Sequence, residues 1–250
     1  MTRIPIALQL YSIRHECEKD LPTTLAAVAK MGYDGVEFAG YYGRTAQELR
    51  ALCDDLGLAI AGTHIRLDTM LGDNLAETVA FNQVLGNQYL IVPGLAEARR
   101  NSRAAWLETA GLFNQVSAAL ESEGMYTGYH NHHIEFTSMD GELPWDTFFS
   151  NTDDRVVMQV DIGNALHGGG DPVPYIARYP GRSLTVHLKE YSASNDTALI
   201  GEGDVDWGQV FELCESVGAT EWYIVEQESY AYPPLECVDR CLQALRARGK

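Results

Sequence analysis

Positive charge is scarce in this chain: 18 Lys and Arg stand against 35 Asp and Glu in 250 residues, a net charge of −17. Phosphate backbones are held by Lys and Arg, so a broad nucleic-acid surface is not expected. Long apolar runs are missing as well. No stretch approaches the ~20 residues that span a bilayer. In MTRIPIALQLYSIRHECEKD, Gln9 and Arg14 interrupt any signal-peptide core, so no membrane association is expected. Cysteine is sparse and unpatterned. Cys17, Cys53, Cys214, Cys237 and Cys241 are odd in number and form no CxxC, which argues for reduced, packed thiols in a cytoplasmic protein.

Glycine is absent from IALQLYSIRHE, where a doubly wound nucleotide-binding sheet wants a Gly-rich turn after its first strand. GEGD at 201–204 leads into DW and not into a GxGxxG helix, so it reads as loop geometry. HGGGD at 167–171 reads as a flexible connection.

What is present is a regular alternation. Eight β-rich runs are predicted as strands: IALQLY (6–11), GVEFA (35–39), AIAGTHI (59–65), QYLIVP (88–93), YTGYHNH (126–132), VVMQVD (156–161), LTVHLK (184–189) and WYIVEQ (222–227). Between them lie amphipathic segments such as LPTTLAAVAKMG, TAQELRALCDDLG and WGQVFELCESVG, several ending in the glycine that commonly follows a helix. With 46% apolar and 21% charged residues and no Pro- or Ser-rich linker, residues 1–250 are expected to form one α/β domain, a single (β/α)8 TIM barrel.

In such a barrel the C-terminal ends of the strands build the active site. The polar residues at those ends are Gln9 and Tyr11, Glu37, His64 and Arg66, Asp161, His187 and Lys189, and Glu226 and Glu228. The fifth strand ends in GYHNHHIEF, where a period of two puts His130 and His132 on one face and His133 on the other, toward helices or solvent. Glu135 lies beyond the strand, to reach over the pocket or to be solvated. Buried charges are costly unless paired or bound to metal. Carboxylate, imidazole and carboxylate on three successive strands, beside an imidazole pair, suit a borderline divalent ion such as Mn²⁺, Co²⁺ or Zn²⁺.

IALQLYSIR, MGYDGVEFAGYYG, GYHNHHIEF, VDIGNALHGGGDPVPYIARYPGR, VHLKEY, IGEGDVDW and YIVEQES resemble, in order over nearly the whole chain, the sugar phosphate isomerase/epimerase family of xylose isomerase-like TIM barrels. The resemblance implies a metal held by Asp161, His187 and Glu226, with Mn²⁺ the first choice and Co²⁺, Zn²⁺ or Mg²⁺ as others. The family's fifth-strand ligand is usually glutamate, and His130 stands in its place here. Either His130 is the fourth ligand and His132 the base, or the two are exchanged; the match in position favours the first. Asn164 stands where the epimerases often carry histidine.

The implied chemistry is proton abstraction next to a carbonyl, with the metal as Lewis acid. Catalytic roles are expected for His132, Glu226 and Lys189, and substrate contacts for His64, Glu37, Tyr11 and Asn164. The expected partner is a small sugar or sugar phosphate, and a homo-oligomer is compatible with the sequence. Returning the proton gives an isomerase or epimerase. Expelling a β-oxygen gives a lyase, dehydratase or hydratase acting on a keto-sugar, keto-glycoside or inosose. An endonuclease IV-like repair enzyme would need further metal ligands and a basic face, and the charge opposes both.

Overall fold

The computed structural model describes residues 3–250. Eight parallel strands alternate with helices: β1 Ile6–Gln9, β2 Gly35–Phe38, β3 Ala59–His64, β4 Tyr89–Val92, β5 Tyr126–His130, β6 Val157–Gln159, β7 Thr185–Leu188 and β8 Trp222–Val225. The sheet runs in the order β6-β5-β4-β3-β2-β1-β8-β7. Its two edges meet where the His187 N–H donates to Val160 O (3.0 Å) and Asp161 bridges His187 in parallel register. The expected TIM barrel is therefore present, nearly closed. No helix among the described residues is long and apolar enough to cross a membrane.

The helices lie outside: α1 Arg14–Met31, α2 Ala46–Leu56, α3 Asn74–Leu85, α4 Arg103–Glu121, α5 Pro144–Phe149, α6 Ile162–His167, α7 Val173–Arg178, α8 Trp207–Ser216 and α9 Pro234–Ala247. Side chains such as Leu8, Val36, Phe38, Leu90, Tyr129 and Val225 pack against them in one apolar layer. At ~1.5–3 kcal/mol for each large buried apolar side chain, this layer dominates folding. Inside the barrel, Tyr89, Tyr126, Leu184 and Trp222 plug the N-terminal end, and Ala7, Ala61, Ile91 and Ile224 lie near them. The strand residues nearer the C-terminal end are polar. Gly35 and Gly128 keep the interior passable, since a Cβ on either would meet strand backbone at 2.6 Å.

Every expected strand stops one or more residues early, and at β1 and β5 the reason is local side-chain capture. Gln9 Oε1 accepts the Tyr11 N–H (3.1 Å), turning Leu10–Ile13 into a 3₁₀ turn, so Tyr11 sits on the rim and not on the strand. Glu135 Oε2 accepts the His132 N–H (2.8 Å) and bends the chain after His130. The period-of-two argument therefore does not apply to His132. The first helix also begins earlier than the expected LPTTLAAVAKMG. It runs from Arg14 through a break at Asp20 (φ −159°), whose carboxylate caps a new start at Thr23. At HGGGD α6 ends at His167, and the following connection is packed closely at two glycines: a Cβ on Gly168 or Gly170 would overlap His133 O or Phe136.

Candidate metal centre at the barrel mouth

Four side chains from consecutive elements converge at the C-terminal end: His130 ends β5, Asp161 follows β6, His187 lies in β7 and Glu226 follows β8. All four are buried, and one donor atom from each lies within 4.8 Å of the others. Asp161 is the N-cap of α6. Its Oδ1 accepts the Asn164 N–H (2.6 Å), while Oδ2 faces His187 Nδ1 at 3.9 Å and has no hydrogen-bond partner. His187 Nδ1 is 2.6 Å from Glu226 Oε2, which is 3.9 Å from His130 Nε2. His130 Nδ1 is likewise buried without a partner.

An unpaired buried acceptor costs ~1–3 kcal/mol, and more when charged. The orphaned Asp161 oxygen, aimed into a cluster of acceptors, fits a cation. Two imidazoles and two carboxylates, with no thiolate, suit Mn²⁺, Co²⁺ or Zn²⁺ better than Mg²⁺, which prefers oxygen alone.

The local charges follow from this crowding of carboxylates and imidazoles. Burial holds the Asp161 carboxyl above its ordinary range, and Glu226 adds to the effect. Burial also opposes ionised Glu226, but the His187 hydrogen bond and Lys189 overcome it and hold that carboxyl well below its ordinary range. Burial disfavours a charged His187, yet Glu37 and Glu226 push its pKa up to about 10. For His130, burial and the neighbouring His187 and His64 drive the imidazole well below its usual value, which leaves it neutral and able to act as a ligand.

The other expected residues fall into distinct places. His132 is half-buried and lines two adjoining cavities, of 370 and 430 Å³, that share it and Glu228. Its ring meets His130 edge-on at 5.2 Å. Lys189 and Asn164 line the smaller cavity, Tyr11 and His64 the larger. Lys189 is paired with Glu228, and Glu226 and Asp161 keep it charged despite burial. His64 stacks on His187 at 5.2 Å, and its Nε2 contacts Gln159 Oε1 (2.7 Å). His64, His130 and His187 are near enough to hold an ion themselves, but Gln159 and Glu37 already engage His64 Nε2. Glu37, expected at the substrate, is wholly buried and lines neither cavity. His133 is exposed, beside His167.

Several supporting residues are not evident from strand-end placement. Asn131 is fully buried: its Oδ1 accepts the Asp161 N–H (2.8 Å) and its Nδ2 donates to Asp161 O (3.1 Å), clamping the backbone of a proposed ligand. Glu135 is neither over the pocket nor solvated. It is buried, and accepts from Tyr129 Oη (2.6 Å) as well as from His132 N. Glu190, which lines the smaller cavity, collects the N–H groups of Gly201 (2.6 Å) and Val205 (3.2 Å) and Trp207 Nε1 (2.8 Å), and so shapes the GEGDVDW loop behind it. For Asn131 and Glu190 the available signal was an amide or acidic residue directly after a strand-end histidine or lysine.

The family model described as xylose isomerase-like TIM barrel matches residues 25–248. The chain belongs to this family. It is similar to the inosose dehydratase of Geobacillus kaustophilus (strain HTA426), with 24% identity over 90% of this chain and 89% of that protein. It is also similar to two solved sugar phosphate isomerase/epimerases from Parabacteroides distasonis ATCC 8503. One has a TM-score of 0.82 at 26% identity, covering 96% of this chain and 97% of the other. The second has a TM-score of 0.83 at 24% identity, covering 98% and 95%.

Proposed function

We propose that this xylose isomerase-like barrel is a divalent-metal-dependent isomerase or epimerase that removes a proton next to a carbonyl of a small sugar or sugar phosphate. One observation carries the reading: four buried donors converge with the orphaned Asp161 oxygen, and two of them, His130 and Glu226, line the larger of the two cavities that share His132. His130, Asp161, His187 and Glu226 would hold the ion, with Mn²⁺ the first choice. When bound, it supplies Lewis-acid polarisation of the substrate carbonyl. Histidine is suited to proton transfer near neutrality, and His132 stands free at the wall to take the substrate proton. Glu226 is the alternative base. Lys189 donates to a substrate oxygen and balances negative charge that develops there. His64, Tyr11 and Asn164 contact the substrate from the remaining walls. The buried, unpaired cysteines suit a reducing cytoplasm.

A second reading is favoured by the dehydratase relative, which aligns over nine-tenths of this chain. In it the same site expels a β-hydroxyl after the proton is removed, acting as a lyase on a keto-sugar or inosose. Incubating Mn²⁺-loaded protein in D₂O with a panel of ketoses, keto-sugars and inososes tests both. Solvent deuterium at a carbon next to the carbonyl, with the formula otherwise unchanged, supports isomerisation or epimerisation. Loss of water supports the dehydratase. No exchange and no loss across the panel, with metal bound, would count against both.

A further inference from the structure

Beneath the four donors lies a buried carboxylate to which the chemistry above gives no part. Three donors converge on Glu37: Gln9 Nε2 (2.6 Å) and His187 Nε2 (2.7 Å) on Oε2, and Gln159 Nε2 (2.8 Å) on Oε1. The Gln9 amide is itself oriented, because its Oε1 accepts the Tyr11 N–H (3.1 Å). Gln159 is oriented by Thr185 Oγ1 (2.9 Å) and His64 (2.7 Å). Removing a carboxylate from water carries a penalty of several kcal/mol unless hydrogen bonds and opposite charge replace the solvent. Here both oxygens are engaged by protein.

The backbone makes room for this group. The β2–β3 register shifts between Val36 and Glu37, and the neighbouring position on β3 is Gly62. A Cβ there would stand 2.8 Å from Glu37 Oε1. Glycine is a poor strand residue, and in a strand interior it often marks a bulge or a close approach. Gly62 is where the carboxylate fits.

We infer that Glu37 is a positioning residue for the metal centre: it holds the His187 Nε2–H, and so presents His187 Nδ1 as the ligand atom. This rests on the metal-dependent reading above. Nδ1 faces Glu226 Oε2 (2.6 Å) and Asp161 Oδ2 (3.9 Å), whereas Nε2 faces Glu37 on the opposite edge of the ring. An ion entering the site takes the place of the Nδ1 proton, and with the remaining N–H held at Nε2 by Glu37 the Nδ1 lone pair is the one offered to it. Glu37 therefore acts through His187 and does not contact the substrate. Glutamine at 37 keeps the shape but turns an NH₂ toward one of three donors, and it removes the charge that strengthens the His187 bond.

The test compares unsubstituted protein with Glu37→Gln, Glu37→Asp and Gly62→Ala. Zn²⁺ affinity is measured by chelator competition, and the His187 ring nitrogens are followed by ¹⁵N NMR in Zn²⁺-loaded protein. Far-UV circular dichroism of the metal-free variants identifies those that fold. The expected result is a 10–100-fold weaker Zn²⁺ affinity in Glu37→Gln, with a smaller loss in Glu37→Asp, which keeps the charge. Gly62→Ala should weaken binding in the same direction without changing any ionisable group. In Glu37→Gln the His187 Nε2 proton should lose its strongly hydrogen-bonded shift. Unchanged affinity in the folded variants, with that proton unmoved, would overturn the inference alone. No Zn²⁺ binding by the unsubstituted protein would overturn the metal reading and this inference together.

Discussion

At the N-terminal end of the barrel Arg182 is 3% exposed, and all its hydrogen-bonding capacity is used. It donates to Val156 O (3.1 and 3.0 Å), Phe149 O (3.0 Å), Thr152 O (3.4 Å) and Thr152 Oγ1 (2.7 Å). At the C-terminal end Asp161 is just as buried, yet one of its oxygens has no donor at all. Nearby contacts repeat the contrast. Arg3 forks onto both oxygens of Asp34 (2.8 and 2.7 Å), which also accepts the Ile6 N–H (2.8 Å). Across the barrel, His187 is squeezed between Glu37 and Glu226. Satisfied charges fasten one end of the barrel. At the other end, incompletely satisfied charges are held in place by a rigid scaffold, the arrangement expected of a site that works by binding something else.

The contrast breaks most decisively at the proposed ligands. Asp161→Ala or Glu226→Ala should abolish tight metal binding and lower turnover by more than the ~10²–10⁴-fold of a lost general base. Metal-free Asp161→Ala should melt near metal-free wild type, because losing the α6 cap offsets the relief of an unpaired buried carboxylate oxygen. Metal-free Glu226→Ala should melt lower, because His187 and Lys189 lose the carboxylate that holds them. Unchanged metal stoichiometry in both variants would refute the assignment.

The paired histidines should differ in kind. His132→Ala should retain metal and slow solvent-proton exchange by ~10²–10⁴-fold. His130→Ala should lose metal affinity and regain part of its activity when metal is added in excess. Intact exchange in His132→Ala would move the base to Glu226.

At the opposite end, Arg182→Met should cost about 3 kcal/mol or more of stability by leaving several buried carbonyl groups unpaired. Denaturant unfolding would measure this, and metal affinity in the folded fraction should not change. A large affinity change would mean that the two ends are coupled.

His64→Ala and Lys189→Met should each weaken turnover by ~10–10²-fold, the loss expected when one hydrogen bond to a developing charge is removed. Metal content should stay near one ion per chain, and its loss from either variant would contradict a substrate-contacting role.

The smallest effect is expected at Asp34. Burial opposes its charge, but the Arg3 hydrogen bond and the Ile6 N–H overcome this and hold the carboxyl below its ordinary value. The stabilisation is therefore fully present above the unfolded pKa of ~4 and disappears as pH falls through the lower folded value. Because Asp34 is partly exposed and screened, Asp34→Asn should cost at most about 1 kcal/mol at pH 7. It should also flatten the acid limb of stability against pH. An acid limb identical to wild type would assign that dependence to other carboxyls.

The alternation of β-rich and amphipathic segments was enough to define the barrel, because the periods of strand and helix are local properties. It also placed His130, Asp161, His187 and Glu226 near strand ends, where an ionisable residue after an apolar run is visible in one dimension. Strand endings were not visible: whether Gln9 or Glu135 captures a neighbouring N–H depends on where its side chain is directed after folding. Nor was the role of Glu37. Its donors Gln9, Gln159 and His187 lie 28, 122 and 150 residues away along the chain, and they meet only when the barrel closes. From the sequence, Glu37 is one more acidic residue at a strand end, a candidate for contact with substrate. Closure places it one layer below the mouth, fully buried, where those three donors and His64 Nε2 (3.2 Å) surround it.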